Sequence, residues 1–209
     1  MDKLFENNQV TISGTISRES EFSHEVFGEG FYMTYVKVPR TSGYEDEIPV
    51  TISDRMCNVK GLRVGQRVVV YGQFRSFNYH KDGRNKVVLS VFAQEMDCFD
   101  EPNKYPDENG IYLDGYICKK PTYRQTPRGR DIADLLVAVN RAYGKSDYIP
   151  CIAWGRNARY VSGLEVGSRV KICGRIQSRE YTKKISDTET ETRVAYEVSV
   201  SKIELVEEE

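Results

Sequence analysis

The chain contains one pattern twice, and that duplication limits what it can fold into. Val10-Thr-Ile-Ser-Gly-Thr-Ile-Ser17 resembles Ile111-Tyr-Leu-Asp-Gly-Tyr-Ile-Cys118, which places Gly14 over Gly115 at an offset of 101. The offset holds for Val36 with Val137, Val38 with Val139, Arg40 with Arg141 and Ile48-Pro49 with Ile149-Pro150. After one inserted residue it becomes 102, pairing Gly65 with Gly167, Gly72 with Gly174, Ser76 with Ser178 and Tyr79 with Tyr181. A unit this long is a domain, not the short repeat of a solenoid. Pro102, Pro106 and a run of acids break periodicity between the copies. The expected organisation is a first domain over 1–100, a linker over 101–109 and a second domain over 110–209.

Each copy repeats the same order of elements. A glycine-bearing strand (10–17; 111–118) leads into a polar loop, a second strand (31–39; 133–140) and a charged hairpin. A third strand (47–53; 148–154), a short helical connection (54–62; 156–164), a valine-rich fourth strand (67–75; 169–179) and a fifth (86–96; 193–205) follow. The glycine marks a bend or barrel corner. Five strands with one helix between strands three and four predict an all-β fold of two tandem five-stranded OB barrels. A five-stranded SH3-like barrel is the main competitor, but it normally lacks that helix.

Strand four of the second copy shows how such a barrel divides its labour. Val170, Ile172, Gly174 and Ile176 share one face, while Lys171, Arg175, Arg179 and Tyr181 share the other. Formal charge is −1 overall, but residues 119–184 hold fifteen Lys or Arg against five Asp or Glu. Residues 1–105 hold thirteen against fifteen. Local charge is what steers an anionic ligand. With 39% hydrophobic and 29% charged residues, the composition is that of a soluble globular chain. No apolar run approaches membrane-spanning length, and Met1-Asp-Lys-Leu-Phe-Glu6 lacks the apolar core of a signal peptide. Cys57, Cys98, Cys118, Cys151 and Cys173 form no C-x-x-C pair and are expected as buried, reduced residues of a cytoplasmic protein.

Enzyme chemistry has little to work with. His24 and His80 lack Cys, Asp or Glu partners at metal-ligand spacing, and no phosphate-binding loop or nucleophile elbow occurs. Phe27-Gly-Glu-Gly-Phe31 reads as a flexible loop, and Tyr44-Glu-Asp-Glu47 as a solvated charge run. No catalytic residue, cofactor, metal or small-molecule substrate is expected.

The second copy is better supplied for binding. Its first loop, Lys119-Lys-Pro-Thr-Tyr-Arg-Gln-Thr-Pro-Arg-Gly-Arg130, has five cations, a tyrosine and no acid. Alternation in strand three puts Tyr148, Ile152 and Trp154 on one side and Ile149, Cys151 and Ala153 on the other. The small residues can fill a narrow barrel, which leaves Trp154 outside. Aromatics interleaved with Arg on a sheet suit single-strand binding, where each stacked base contributes roughly 1–3 kcal/mol. Duplex recognition more often uses a groove-sized basic helix, and none is evident.

Pro121 to Arg141, Tyr148-Ile-Pro-Cys-Ile-Ala-Trp-Gly155 and Gly174-Arg-Ile-Gln-Ser-Arg-Glu-Tyr181 resemble bacterial single-stranded DNA-binding proteins. The resemblance covers most of 111–205. It implies base stacking on Tyr143, Tyr148, Trp154 and Tyr181. It also implies phosphate contacts at Arg124, Arg128, Arg130, Arg141, Arg156, Arg175 and Arg179, with Lys171 beside them. The family's usual assembly of four OB folds implies a homodimer of this two-fold chain. The expected partner is single-stranded DNA in replication, recombination or repair. The family's acidic, Phe-tipped tail has no match in Ile203-Glu-Leu-Val-Glu-Glu-Glu209, so recruitment through such a tip is not expected.

The first copy departs from this pattern. Tyr143, Tyr148 and Trp154 become Ser42, Glu47 and Ser53, and Lys171, Arg175 and Arg179 become Val69, Gln73 and Phe77. Its first loop, Arg18 to Gly30, is acidic. It is expected to serve as a scaffold or oligomerisation copy, with weak contacts at Arg40, Arg75 and Tyr79 at most. The competing functions are a structural adaptor subunit that binds protein, and single-stranded RNA binding by the same stacking chemistry.

Overall fold

A computed structural model of the chain describes residues 6–81, 84–100, 105–186 and 190–207; the side chains of 78–81 and 84–86, including those of Tyr79 and His80, lie outside the description. The first repeat folds as β1 (Asn8–Val26), β2 (Glu29–Pro39), β3 (Glu45–Ser53), a single 3-10 turn (Val59–Gly61), β4 (Arg67–Lys81) and β5 (Arg84–Phe99). The second gives β6 (Glu108–Gln125), β7 (Asp131–Asn140), β8 (Ser146–Trp154), α1 (Arg156–Val161), β9 (Arg169–Lys184) and β10 (Thr190–Leu205). β6 begins at Glu108, inside the stretch expected as linker.

Strand pairing closes each repeat into a five-stranded barrel. In the first, β1 pairs with both β2 and β4, β2 with β3, β3 in parallel with β5, and β5 with β4. The second repeats this through β6–β7, β7–β8, parallel β8–β10, β10–β9 and β9–β6. This is the two-barrel OB architecture that the repeat predicts. Gly14 and Gly115 sit where the first strand of each barrel passes from one neighbour to the next. A Cβ at Gly115 would lie 2.5 Å from the Ala138 carbonyl oxygen, and one at Gly14 would press on that of Lys37. No other residue fits either corner.

The cores match position by position. Val36, Ile48, Val70 and Phe74 are buried as fully as Val137, Ile149, Ile172 and Ile176. Each such side chain contributes about 1.5–3 kcal/mol by leaving water, so the inner faces hold the barrel and the outer faces are free to diverge. One end is closed differently. The second barrel buries Ala158 and Val161 of α1 and nearby Leu164, whereas the first inserts Val59 from its single turn.

The structure corrects several expectations: within the charge run Tyr44-Glu-Asp-Glu47, read as solvated, Asp46 is buried, and the helical connection expected over 54–62 is only the 3-10 turn. The stretches read as first loops are largely strand: Arg18–Val26 and Lys119–Gln125 continue β1 and β6 as hairpin arms. Both faces of these arms meet water, so they carry no alternation to reveal them. Phe27-Gly28 is a two-residue turn between Val26 and Glu29, with both φ values positive (49° and 75°), as a twist-matched hairpin requires. Of the five cysteines only Cys151 is buried, while Cys98 and Cys173 are exposed on strands. No helix among the described residues is long and apolar enough to cross a membrane.

The barrels join through β1 and β6, which pair antiparallel with Val10 opposite Ile111. Two aspartates reinforce the junction. Asp46 accepts the Ser178 backbone N–H at 2.8 Å and binds Arg40 at 2.7 Å and Arg175 at 2.9 Å. Its counterpart Asp147 accepts the Ser76 backbone N–H at 2.7 Å, with Arg141 3.4 Å away. Serine hydroxyls complete the exchange: Ser178 Oγ accepts from the Glu47 N–H and Ser76 Oγ from the Tyr148 N–H.

Candidate nucleic-acid interface

The aromatic residues singled out from the sequence reach the surface. Tyr148 and Trp154 stand at either end of β8, 52% and 40% exposed, while Ile149, Cys151 and Ala153 between them enter the core. Ile152 shares their outer parity but is buried. Tyr181 lies on the β9 arm opposite Arg193, 38% exposed. Tyr143 occupies the β7–β8 turn at φ 61° and is 99% exposed. A bulky residue in left-handed backbone costs about 1–3 kcal/mol and recurs at functional sites. Here the ring is turned fully toward solvent.

The cations separate by their partners. Arg128, Arg130 and Arg156 are exposed, the first two in the β6–β7 turn and the third at the start of α1. Arg124 pairs with Asp134 at 3.0 Å, a contact exposed enough to add little stability, and the half-exposed Arg179 pairs with the buried Glu197 at 3.5 Å. Arg175 and Arg40 are struts of the junction, both bound to Asp46. Burial lowers the pKa of Arg175, and the neighbouring Arg40 adds to that shift. Arg141 lines a cleft of about 320 Å³ between the barrels together with Tyr143, Lys145, Asn140 and Arg75. Lys171 lies apart, in a groove with Tyr112, Arg169 and Asp114. The structure thus gathers Tyr143, Arg141 and Arg75 in one cleft and Trp154 with Arg130 in another groove, and leaves Lys171 elsewhere.

Some residues were not singled out by the sequence. Tyr123 on β6 is 41% exposed, and its hydroxyl donates to Asp131 at 2.6 Å. Gln125 and Arg159 bind the same carboxylate at 3.0 and 2.6 Å. These three hydrogen bonds, led by that from Tyr123, hold the Asp131 pKa at about 2. The signal for Tyr123 was present in the repeat, since its counterpart at the 101 offset is Phe22, which is 61% exposed. On the first barrel, several aromatic side chains are engaged, while Phe27, Tyr44 and Tyr71 are exposed. Phe22 meets Tyr32 edge-on at 5.6 Å, His24 stacks on Phe31 at 4.9 Å, and Arg75 covers Phe92 at 4.1 Å. Arg18, in the acidic arm, binds Glu47 and lies over Tyr35. Among the described residues no cluster of His, Cys, Asp or Glu could hold a metal ion.

Fold and surface define a tandem OB-fold protein with an aromatic and cationic face on its second barrel. Residues 108–206 match the single-strand binding protein family, so the second repeat is a domain of that family. The single-stranded DNA-binding protein of Thermus aquaticus is 27% identical over 176 residues, covering 73% of this chain and 67% of that protein. Single-stranded DNA-binding protein A of Bacillus subtilis is 36% identical over 80 residues, 35% of this chain and 46% of that protein. The chain therefore spans about two thirds of the first relative's length and under half of the second's. The crystal structure of the wild-type Thermus aquaticus protein superposes with a TM-score of 0.77 at 21% identity, over 97% of this chain and 94% of that one. This is a likeness of fold.

Proposed function

We propose that the chain binds single-stranded DNA without sequence preference and without catalysis, protecting it during replication, recombination or repair. One observation carries this: Tyr143, Tyr148, Trp154 and Tyr181 are all exposed on the barrel that matches the family. Bases stack on these rings, and Arg128, Arg130 and Arg156 meet phosphate directly. Arg124, Arg141, Lys171, Arg175 and Arg179 add positive potential along the path, Arg175 from within the junction. The first barrel is a scaffold that contributes weak contacts through Arg40, Arg75 and Tyr79. Two chains associate to bring four OB folds together, and the protein works in the cytoplasm on nucleoid DNA.

Fluorescence anisotropy of labelled oligo-dT, titrated with the full chain, tests the binding. The expected result is affinity that falls steeply as salt rises, with competition by oligo-dT exceeding that by oligo-U. Solution mass with and without a long oligo-dT strand tests the assembly. A monomer in both states would sink the homodimer, and absence of a complex at low salt would sink DNA binding itself.

A further inference from the structure

One groove in the second barrel is built more carefully than a solvated surface needs. Gly129, Arg130, Asp131, Trp154, Gly155 and Arg159 line a depression of about 390 Å³ at the end of β8. Its back wall is the Asp131 carboxylate, nearly buried and saturated by donors. Oδ1 accepts from the Tyr123 hydroxyl and the Gln125 amide, and Oδ2 accepts from Arg159 Nε. The backbone of the same residue ties in the end of β8, since the Gly155 N–H donates to the Asp131 carbonyl at 2.9 Å.

Arg159 is therefore anchored by its inner nitrogen while 68% of its side chain stays exposed. Among the described residues its two terminal amino groups have no hydrogen-bond acceptor. An arginine held this way presents a fixed fork of N–H donors, a geometry that matches two oxygens of one phosphate. Pre-ordering matters because a free arginine loses rotamer entropy when it binds, and a clamped one has already lost it. The flat wall beside this fork is the Trp154 ring, which offers a stacking surface to a base. A purely structural clasp, fastening the β6–β7 hairpin to α1, would need the Asp131–Arg159 contact but not an open groove beside Trp154.

We propose that this groove seats one nucleotide of the bound strand. Its base lies on Trp154, its phosphate lies on the Arg159 fork, and Asp131 acts as the positioning residue that aims the fork. The proposal rests on the single-strand binding put forward above. It adds Arg159, which lies outside the sequence motifs, and gives roles to Asp131 and Tyr123 that those motifs did not assign.

The test measures oligo-dT affinity of the full chain over a range of salt, with thermal melting of each variant alongside. A single-strand phosphate contact contributes about 0.7 to the slope of log affinity against log salt. Arg159→Gln is expected to make the slope shallower by about that amount, whatever the loss of its bond to Asp131 does to melting. Asp131→Asn is expected to weaken binding in the same direction while Arg159 remains, and Arg159→Lys to restore the slope without restoring full affinity. Wild-type slope in both Arg159→Gln and Asp131→Asn would overturn the proposal, whether or not melting falls, because a structural clasp alone predicts that pattern. Failure of the wild-type chain to bind at all would overturn the DNA-binding function as well, so the two failures are distinguishable.

Discussion

Val10 and Ile111, equivalent residues of the two repeats, lie directly opposite each other where β1 pairs antiparallel with β6. Self-equivalent residues can face one another in an antiparallel pair only if a local two-fold axis passes between them. The backbone-to-carboxylate contact at the junction is therefore made twice, once from each repeat, with different charged residues around it. Asp46 holds Ser178 and two arginines, and Asp147 holds Ser76 and approaches one.

Removing either carboxylate orphans a backbone N–H at the junction, which costs about 1–3 kcal/mol. Asp46→Ala is expected at the upper end, because Arg40 and Arg175 also lose their partner. Asp147→Ala is expected lower, and Asp147→Asn, which keeps an acceptor for the Ser76 N–H, close to wild type. Urea unfolding of the three variants checks this order.

Asp147 also gives the junction a pH dependence. Burial, the largest influence, raises its pKa despite the Ser76 N–H and the Arg141 and Arg75 charges nearby. The folded state then holds the proton more tightly than the unfolded chain. Its stabilising contribution is complete below the unfolded pKa and is lost as pH rises through the folded one. Asp131 has the opposite sign. Its lowered pKa of about 2 gives a contribution that is present above the unfolded value and lost as pH falls toward 2. Wild-type stability measured from pH 4 upward is expected to decline relative to Asp147→Asn. Parallel curves would remove Asp147 as the cause.

The barrel corners make a prediction that depends only on backbone packing. Gly115→Ala drives a methyl group against the Ala138 carbonyl and the Val137 side chain. Overpacking of this kind costs about 1–3 kcal/mol. Gly14→Ala should cost a similar amount against Lys37 and Val36, and differential scanning calorimetry reads both.

The barrels differ in what their surfaces can offer a base. Trp154→Ala removes one stacking platform and is expected to weaken oligo-dT binding by about 1–3 kcal/mol, roughly 5- to 150-fold. Phe22→Ala, on the first barrel, is expected to leave affinity within about threefold. Anisotropy titration of both full-length variants compares them. Equal losses would give the first barrel a share in binding.

The fold was legible because burial leaves a periodic trace. Ile149, Cys151 and Ala153 recur at a spacing of two in the core, and Ile48, Val50 and Ile52 repeat that spacing one domain earlier, although Ile152 and Thr51 between them are buried as well. The arms at Arg18–Val26 and Lys119–Gln125 left no such trace, because a hairpin wet on both faces has no apolar side. Tyr148, Trp154 and Tyr181 followed from strand alternation, whereas Tyr143, in a turn, followed only from the family resemblance. The fates of the site's cations followed from neither. Arg175 reads as a surface cation until the fold brings Asp46, 129 residues away, to within 2.9 Å. Asp131, Tyr123 and Arg159 converge from three different elements, and no local spacing announces that.

Trp154 is the only tryptophan in the chain, so fluorescence excited selectively at tryptophan reports on that ring without the tyrosines. Titrating the full-length protein with oligo-dT at low salt tests the central claim most directly. Quenching that saturates with added strand and is reversed by high salt is predicted. Unchanged fluorescence while oligo-dT is demonstrably bound would place the strand elsewhere and contradict the account.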